Sequence, residues 1–140
     1  MPYLAGANAA SGEILLFLHA DTTLPDSGCH AVIDAITSGF AMGCFDRQFT
    51  GTSRILKKTS AWAAWRVRKV FWAYGDQAMF IRRDIFEQLR GFKPLPRFED
   101  LDLAIRAKAL GTWTVLPGPV ISDARRFKGG TLLQIIKDFL

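Results

Sequence analysis

The stretch that decides the fold prediction is Glu13–Asp21, EILLFLHAD, in which five large apolar residues run directly into a His-Ala-Asp triplet. Because the apolar run is too short for a helix and is flanked by turn-forming residues, it predicts a strand buried on both faces, central in a parallel sheet. Open α/β sheets bind ligands at the carboxyl ends of their strands. Asp21 is therefore a candidate ligand of a metal ion or a substrate cation, because a carboxylate there is costly without a positive partner. The alternative is that Asp21 caps the next segment.

Length and composition predict one globular domain with a modest core. The chain has 140 residues, of which 49% are apolar and 22% are charged, and it contains no low-complexity tract. These values exclude a disordered chain. The formal net charge of +5 favours an anionic partner, namely a nucleotide phosphate, a nucleic acid or an acidic membrane face. Charge alone does not choose among these three.

The two cysteines and the absence of a long apolar segment indicate the cellular setting. Cys29 and Cys44 lie on a predicted helix and a predicted strand without metal-binding spacing, which favours two core thiols in a reducing cytoplasm. The sequence has no apolar stretch of about eighteen residues and no signal-peptide pattern. We therefore expect a cytoplasmic chain that does not span a membrane, and attachment to a membrane surface stays open.

The rest of the sequence predicts alternating helices and short strands. A helix ends near Ser11 with almost no beginning, and a last helix starts at Thr131 without a C-terminal cap, so the sequence indicates truncation at both ends. Between them we expect helices at 25–39, 51–72, 84–91 and 99–110, strands at 40–49, 77–81, 113–116 and 120–122, and a Pro-containing loop at 92–98.

Four further motifs follow the His19-Ala20-Asp21-Thr22 segment in a fixed order. They are Tyr74-Gly75-Asp76-Gln77, Arg90-Gly91-Phe92, Glu99-Asp100 with Leu103 and Arg106, and Ala124-Arg125-Arg126-Phe127. The ordered set resembles the bacterial family-2 glycosyltransferases. The resemblance implies an α/β fold of the GT-A type: a Rossmann-like, mixed and mainly parallel sheet flanked by helices, here without the earlier half that holds the nucleobase.

The family resemblance also implies a reaction, the inverting transfer of a sugar from a nucleoside-diphosphate sugar to an acceptor hydroxyl. A divalent cation, Mn²⁺ or Mg²⁺, neutralises the leaving diphosphate in such enzymes. His19 stands where many relatives have an acid, and it is either a second metal ligand or simply hydrogen-bonded. The implied roles are metal binding by Asp21 and His19, base catalysis by Asp100 with Glu99 beside it, acceptor contact by Asp76 and Gln77, and diphosphate contact by Arg125 or Arg126.

The segment Ser53–Trp72 mixes basic residues with three tryptophans, and three interpretations remain open. The tryptophans form a packed helix stripe, or they dock on an anionic membrane, or the segment binds nucleic acid. The second fits the lipid-linked acceptor and the peripheral membrane location that the resemblance allows. An unpaired sheet edge favours a homo-oligomer. A catalytically inactive binding or assembly module is the alternative to an enzyme, and a basic nucleic-acid-binding domain is less favoured.

Overall fold

Strand β3, Met42–Phe49, lies in the middle of a five-stranded sheet. The computed structural model describes residues 2–51 and 53–127 of the chain. The other strands are β1, Ile14–Leu16; β2, Thr22–Thr23; β4, Phe80–Arg82; and β5, Trp113–Ser122. They lie in the order β1-β4-β3-β5-β2. Together with the helices this gives a mixed α/β fold, which confirms the coarse prediction.

Five helices accompany the sheet: α1, Pro2–Ala9; α2, Gly28–Thr37; α3, Arg54–Val70; α4, Arg83–Gln88; and α5, Glu99–Lys108. Their positions agree with the predicted helices. Helix α3 begins where its capping residue predicts, because the Ser53 side chain accepts a hydrogen bond from the Leu56 backbone N–H. None of the described helices is both long and apolar enough to cross a bilayer. The predicted helix from Thr131 lies outside the described residues.

The direction of the strands differs from the expectation of a mainly parallel sheet. Only β3 and β5 pair in parallel, whereas β1 with β4, β3 with β4, and β2 with β5 pair antiparallel. The physical reason is the direction of strand β4, which is antiparallel to both of its neighbours. Helices alternating with strands predict a parallel arrangement, but the long connection through α3 returns the chain in the opposite direction. The expectation of a mainly parallel sheet is therefore wrong.

Strand β1 is an outer strand of the described sheet and not a central one. Leu15 and Phe17 are buried on the face that carries the larger core cluster, together with α4 and α5. Ile14 and Leu16 point to the other face and pack against the smaller cluster, which includes residues of α2. The run is continuously apolar because both faces of the sheet are covered, which does not require a central position.

Two expectations about buried side chains, the core thiol at Cys29 and the packed tryptophan stripe, differ from the structure. In α2 the buried residues are Gly28, Val32 and Ala35, whereas Cys29 is exposed and only Cys44 is a core thiol. In α3 the buried side chains are Leu56, Ala63, Arg66 and Val67. The tryptophans of this segment are exposed, so the prediction that they form a packed stripe is wrong.

Gly43 allows β3 to approach its neighbours closely. A Cβ atom at this position would lie 2.6 Å from the carbonyl oxygen of Thr114 and closer still to the ring of Phe80. Phe80 has no exposed surface and packs edge-to-face on Phe45 at 6.2 Å between ring centroids. Because Gly43 has no side chain, the Phe80 ring of β4 can lie across strand β3.

Candidate functional site

Tyr3, on α1, marks the point where the predicted acidic residues come together. Burial raises the pKa of the Tyr3 hydroxyl above its usual value, and the charges of Asp100, Asp76, Glu99 and Asp21 raise it further. These four carboxylates lie near Tyr3: Asp100 accepts a hydrogen bond from the Gly75 N–H beside the Tyr3 hydroxyl, Asp76 and Glu99 adjoin Gly75 and Asp100 in the chain, and Asp21 borders a groove with Tyr3. They come from the turn after β1, from a turn before β4 and from the start of α5. The structure thus brings together acids from three separate motifs.

Gly75 makes this convergence sterically feasible. It opens a 3₁₀ turn, Gly75–Gln77. A Cβ atom at Gly75 would lie 3.0 Å from His19 Nε2, 3.1 Å from Asp100 Oδ2, and closer still to the Tyr3 hydroxyl oxygen. The Tyr3 ring stacks on His19, with 5.8 Å between ring centroids, and on Phe92, with 5.6 Å. Any larger residue at position 75 would push these groups apart.

Asp100 occupies the first turn of α5, and the chain enters this helix through Phe98, whose φ is 62°. The Gly75 backbone N–H donates to Asp100 Oδ2 at 2.5 Å, and the Leu101 N–H donates to Oδ1 at 2.8 Å. Burial raises the pKa of the Asp100 carboxyl, and the negative charges of Glu99 and Asp76 raise it further. The two N–H groups oppose this rise without cancelling it. A raised pKa makes this carboxylate a stronger base.

Asp102, in the same first turn, has a different environment from Asp100. It forms ion pairs with Arg106 at 2.7 Å and Lys93 at 3.5 Å. Arg106 also donates to the carbonyl oxygens of Leu89 and Gly91, each at 2.9 Å, so it fastens the loop after α4 to α5. The Asp102 carboxylate is therefore neutralised within a structural network. Asp102 provides a matched comparison for Asp100.

Asp76 is held by an ion pair with Arg47 of β3. Its second oxygen, Oδ1, is buried and has no hydrogen-bond partner among the described residues, and the same is true of the Tyr3 hydroxyl. Buried polar atoms without partners are rare in folded proteins, and each one requires an explanation. Here they lie in one acidic cluster, which we call the Tyr3 cluster: Tyr3, Asp21, Asp76, Glu99 and Asp100.

Gln77 does not lie where the resemblance implies. It has no exposed surface, and its Oε1 accepts hydrogen bonds from Arg66 Nη2 at 3.3 Å and from the Tyr74 N–H at 3.4 Å. Its Nε2 donates to the carbonyl oxygen of Phe45 at 3.5 Å. This side chain is buried and makes its hydrogen bonds inside the protein, so the structure does not present it to an acceptor. Gln77 instead positions the turn that carries Asp76.

Asp21 and His19 lie in one tight turn, in which the Thr22 N–H donates to the His19 carbonyl oxygen at 3.1 Å. Asp21 is exposed, so its carboxylate does not carry the burial cost that the sequence suggested. In the described part of the chain, no three His, Cys, Asp or Glu side chains are close enough to hold a metal ion by themselves. One carboxylate and one imidazole fit a cation that also binds phosphate oxygens and water.

Arg125 lies close to this turn. Its Nε is 2.5 Å from Asp123 Oδ2, and the Asp123 N–H donates to the Asp21 carbonyl oxygen at 3.1 Å. The Arg125 side chain is 73% exposed, so it is available to an anionic ligand at this edge. Arg126 belongs to the same 3₁₀ turn, Ala124–Phe127, but its side chain lies outside the described part of the structure.

Sequence reasoning missed Tyr3, Arg47 and Arg66. Arg66 is only 3% exposed; burial lowers its pKa, while its Nε donates to the Trp72 carbonyl oxygen at 3.0 Å. A signal for Arg66 was present, because it falls on the buried helix face with Ala63 and Val67, and a charged residue there needs partners. Tyr3 gave no such signal, since a single aromatic residue in a short helix has no local pattern.

A groove of about 1000 Å³ lies between α1 and the segment that follows β1, and two members of the Tyr3 cluster, Tyr3 and Asp21, border it. Tyr3, His19 and Asp21 line it, together with small residues of α1 and the side chains of β1. Its volume is sufficient for a nucleotide-sized ligand. Searches against models of known protein families and against curated proteins find no match for this chain.

Proposed function

We propose that this chain is a glycosyltransferase of the GT-A type that moves a sugar from a nucleoside-diphosphate sugar to an acceptor hydroxyl with inversion. The observation that carries the proposal is the Tyr3 cluster, in which acids from three separate motifs lie near Tyr3, a residue that also lines an open groove. A single motif of this kind has many structural explanations. Their convergence, with two buried polar atoms lacking partners, favours a reaction centre.

Asp100 is the proposed general base. In the reaction it takes the proton of the acceptor hydroxyl as the acceptor oxygen bonds to the anomeric carbon. The bond from that carbon to the diphosphate oxygen breaks, and the nucleoside diphosphate leaves on the opposite face. The raised pKa of Asp100 suits this role, because a carboxylate with a higher pKa accepts a proton more readily. Glu99 raises the pKa of Asp100 through its negative charge.

The leaving diphosphate requires positive charge, which the His19–Thr22 turn would hold in the form of a cation. A divalent cation, Mn²⁺ or Mg²⁺, held by Asp21 and His19 would neutralise the diphosphate. Arg125 and Arg126 would add charge-assisted hydrogen bonds to the phosphate oxygens. Asp76, fixed by Arg47 and with its side chain 26% exposed, would contact the acceptor.

The test compares Asp100→Asn with Asp102→Asn in the full chain. Sugar transfer is measured with a panel of radiolabelled nucleoside-diphosphate sugars, and donor binding is measured by calorimetry with and without Mn²⁺. We expect Asp100→Asn to lower turnover by about two to four orders of magnitude while donor affinity stays within about twofold. Asp102→Asn should keep its turnover, because Asp102 is engaged by Arg106 and Lys93.

Two outcomes would contradict the proposal. If Asp100→Asn retained normal turnover, the base would lie elsewhere. If the unmodified chain bound donor nucleotides but transferred no sugar from any of them, the chain would be a catalytically inactive binding module.

A further inference from the structure

Helix α3 exposes a row of large apolar side chains. Ile55, Trp62, Trp65 and the following Trp72 are 43%, 51%, 59% and 47% exposed. We call these four residues the aromatic stripe. The first three are spaced seven and three residues apart, which places them on one side of the helix. Large exposed apolar patches mark sites of interaction with proteins, membranes or ligands.

The charged residues of α3 are all basic. Helix α3 contains no acidic residue over its 17 positions. Lys58 lies between Ile55 and Trp62 at helical spacing, and Lys69 follows Trp65 by four residues, so both cations border the stripe. The helix also exposes Arg54 and Lys57 at its start.

From this combination we infer that α3 docks on an anionic lipid bilayer. Tryptophan rings favour the boundary between headgroups and acyl chains, and lysines beside them are attracted to anionic lipids. Single-stranded nucleic acid is bound mainly in grooves with stacked aromatics, whereas this stripe stands on the convex surface of a helix. The net charge of +5 adds long-range attraction to an anionic membrane.

A chain of contacts links the aromatic stripe to the Tyr3 cluster. The Arg66 guanidinium lies over the Trp62 ring at 4.7 Å and over the Tyr74 ring at 4.5 Å from the ring centroids. Tyr74 in turn contacts Phe98, the residue that precedes α5, with 6.0 Å between ring centroids. Phe98 is itself 39% exposed. Docking through α3 would therefore hold Asp100, two residues beyond Phe98, near the bilayer surface.

The experiment measures binding of the full chain to vesicles of phosphatidylcholine alone and to vesicles with about one third phosphatidylglycerol. We expect binding to the anionic vesicles, a blue shift of tryptophan emission, and quenching by brominated acyl chains. The double variant Trp62→Ser/Trp65→Ser should lose at least about tenfold in affinity for the anionic vesicles. Lys58→Glu/Lys69→Glu should lose at least about fivefold per lysine. Ile33→Ser, which removes a similarly exposed apolar side chain from α2, is the matched control and should bind normally.

This inference does not rest on the proposed function, because vesicle binding is measured without any sugar donor. Circular dichroism of each variant checks that the fold is retained, and quenching of the unmodified chain requires no substitution. Absence of quenching by brominated lipid in the unmodified chain would overturn the inference. So would tighter binding to single-stranded DNA than to anionic vesicles at the same salt concentration, or a dimer in solution that the tryptophan variant abolishes.

Discussion

At the scale of single residues, Asp100 shows how burial changes the pKa of a carboxyl group. Its pKa is raised chiefly because burial disfavours the charged form, although two backbone N–H groups stabilise that form. The position of Asp100 at a helix start predicts a lowered pKa, since helix N-termini favour negative charge. Burial depends on the packing of α1 and the Gly75 turn over α5, which the local sequence does not specify.

The raised pKa of Asp100 predicts opposite effects of pH on stability and activity. Between the ordinary aspartate pKa of about 3.9 and the raised value, the folded chain binds more protons than the unfolded chain. The contribution of Asp100 to stability is therefore present at low pH and is lost as pH rises through the raised pKa. The ionised base forms over the same interval, so turnover should rise. Urea unfolding and turnover, each measured against pH, check the two trends.

The control for the pH prediction is the difference in unfolding free energy between the unmodified chain and Asp100→Asn. This difference should fall as pH rises through the raised pKa of Asp100, because the variant cannot titrate at position 100. Asp102→Asn is the matched variant for comparison, because Asp102 lies in the same first turn but is held in ion pairs with Arg106 and Lys93. A pH-independent difference for Asp100→Asn would show that its pKa is not raised.

The candidate site could be predicted from sequence only in part. Asp21, Asp76, Glu99 and Asp100 are predicted as site residues because acids that follow strands or begin helices leave a visible pattern, and the structure places Asp100 against Gly75, next to Asp76. Gln77 follows the same pattern but is buried. Whether a polar side chain faces a groove or the interior depends on contacts with distant segments, such as the one between Gln77 and Arg66.

At the scale of elements, the helices and strands β1, β3 and β4 were predictable, whereas strand direction was not. The short strand β2 was missed, and the two strands predicted at 113–116 and 120–122 are one strand, β5. Periodicity and capping residues are local, so they locate α2, α3 and β3 closely. The direction in which β4 joins the sheet depends on how the chain returns after α3, and no residue pattern encodes that choice. The apolar run of β1 was equally ambiguous, because helices on both faces bury an outer strand as well as a central one.

Gly43 provides a test of the packing between these elements. Gly43→Ala should destabilise the fold by about 1–3 kcal/mol, because the new methyl group meets the Thr114 carbonyl oxygen and the Phe80 ring in a filled interior. Denaturant unfolding monitored by fluorescence measures the change. Gly12→Ala is the matched control, since its nearest neighbour would be an oxygen at 3.6 Å, and its effect should stay within about 0.5 kcal/mol. Equal effects of the two substitutions would contradict this description of the interior.

At the scale of the whole molecule, the sheet separates two hydrophobic clusters. The larger cluster joins α1, α3, α4 and α5 to one face, and the smaller one joins α2 to the other. Strand β3 contributes to both, with Met42 and Cys44 on the larger side and Phe45 on the smaller. Because β3 is shared, exposing its side chains requires both clusters to open.

The two cysteines therefore report on the opening of the core, because they differ in their exposure to a thiol reagent. Cys29 is exposed on α2, whereas Cys44 has no exposed surface, and burial raises the pKa of the Cys44 thiol. A thiol reagent should label Cys29 at once and Cys44 only when β3 is released. The delay of the second reaction, followed by mass spectrometry, should equal the time that the folded core stays closed. Simultaneous labelling of both thiols in the native chain would mean that β3 opens independently of the rest.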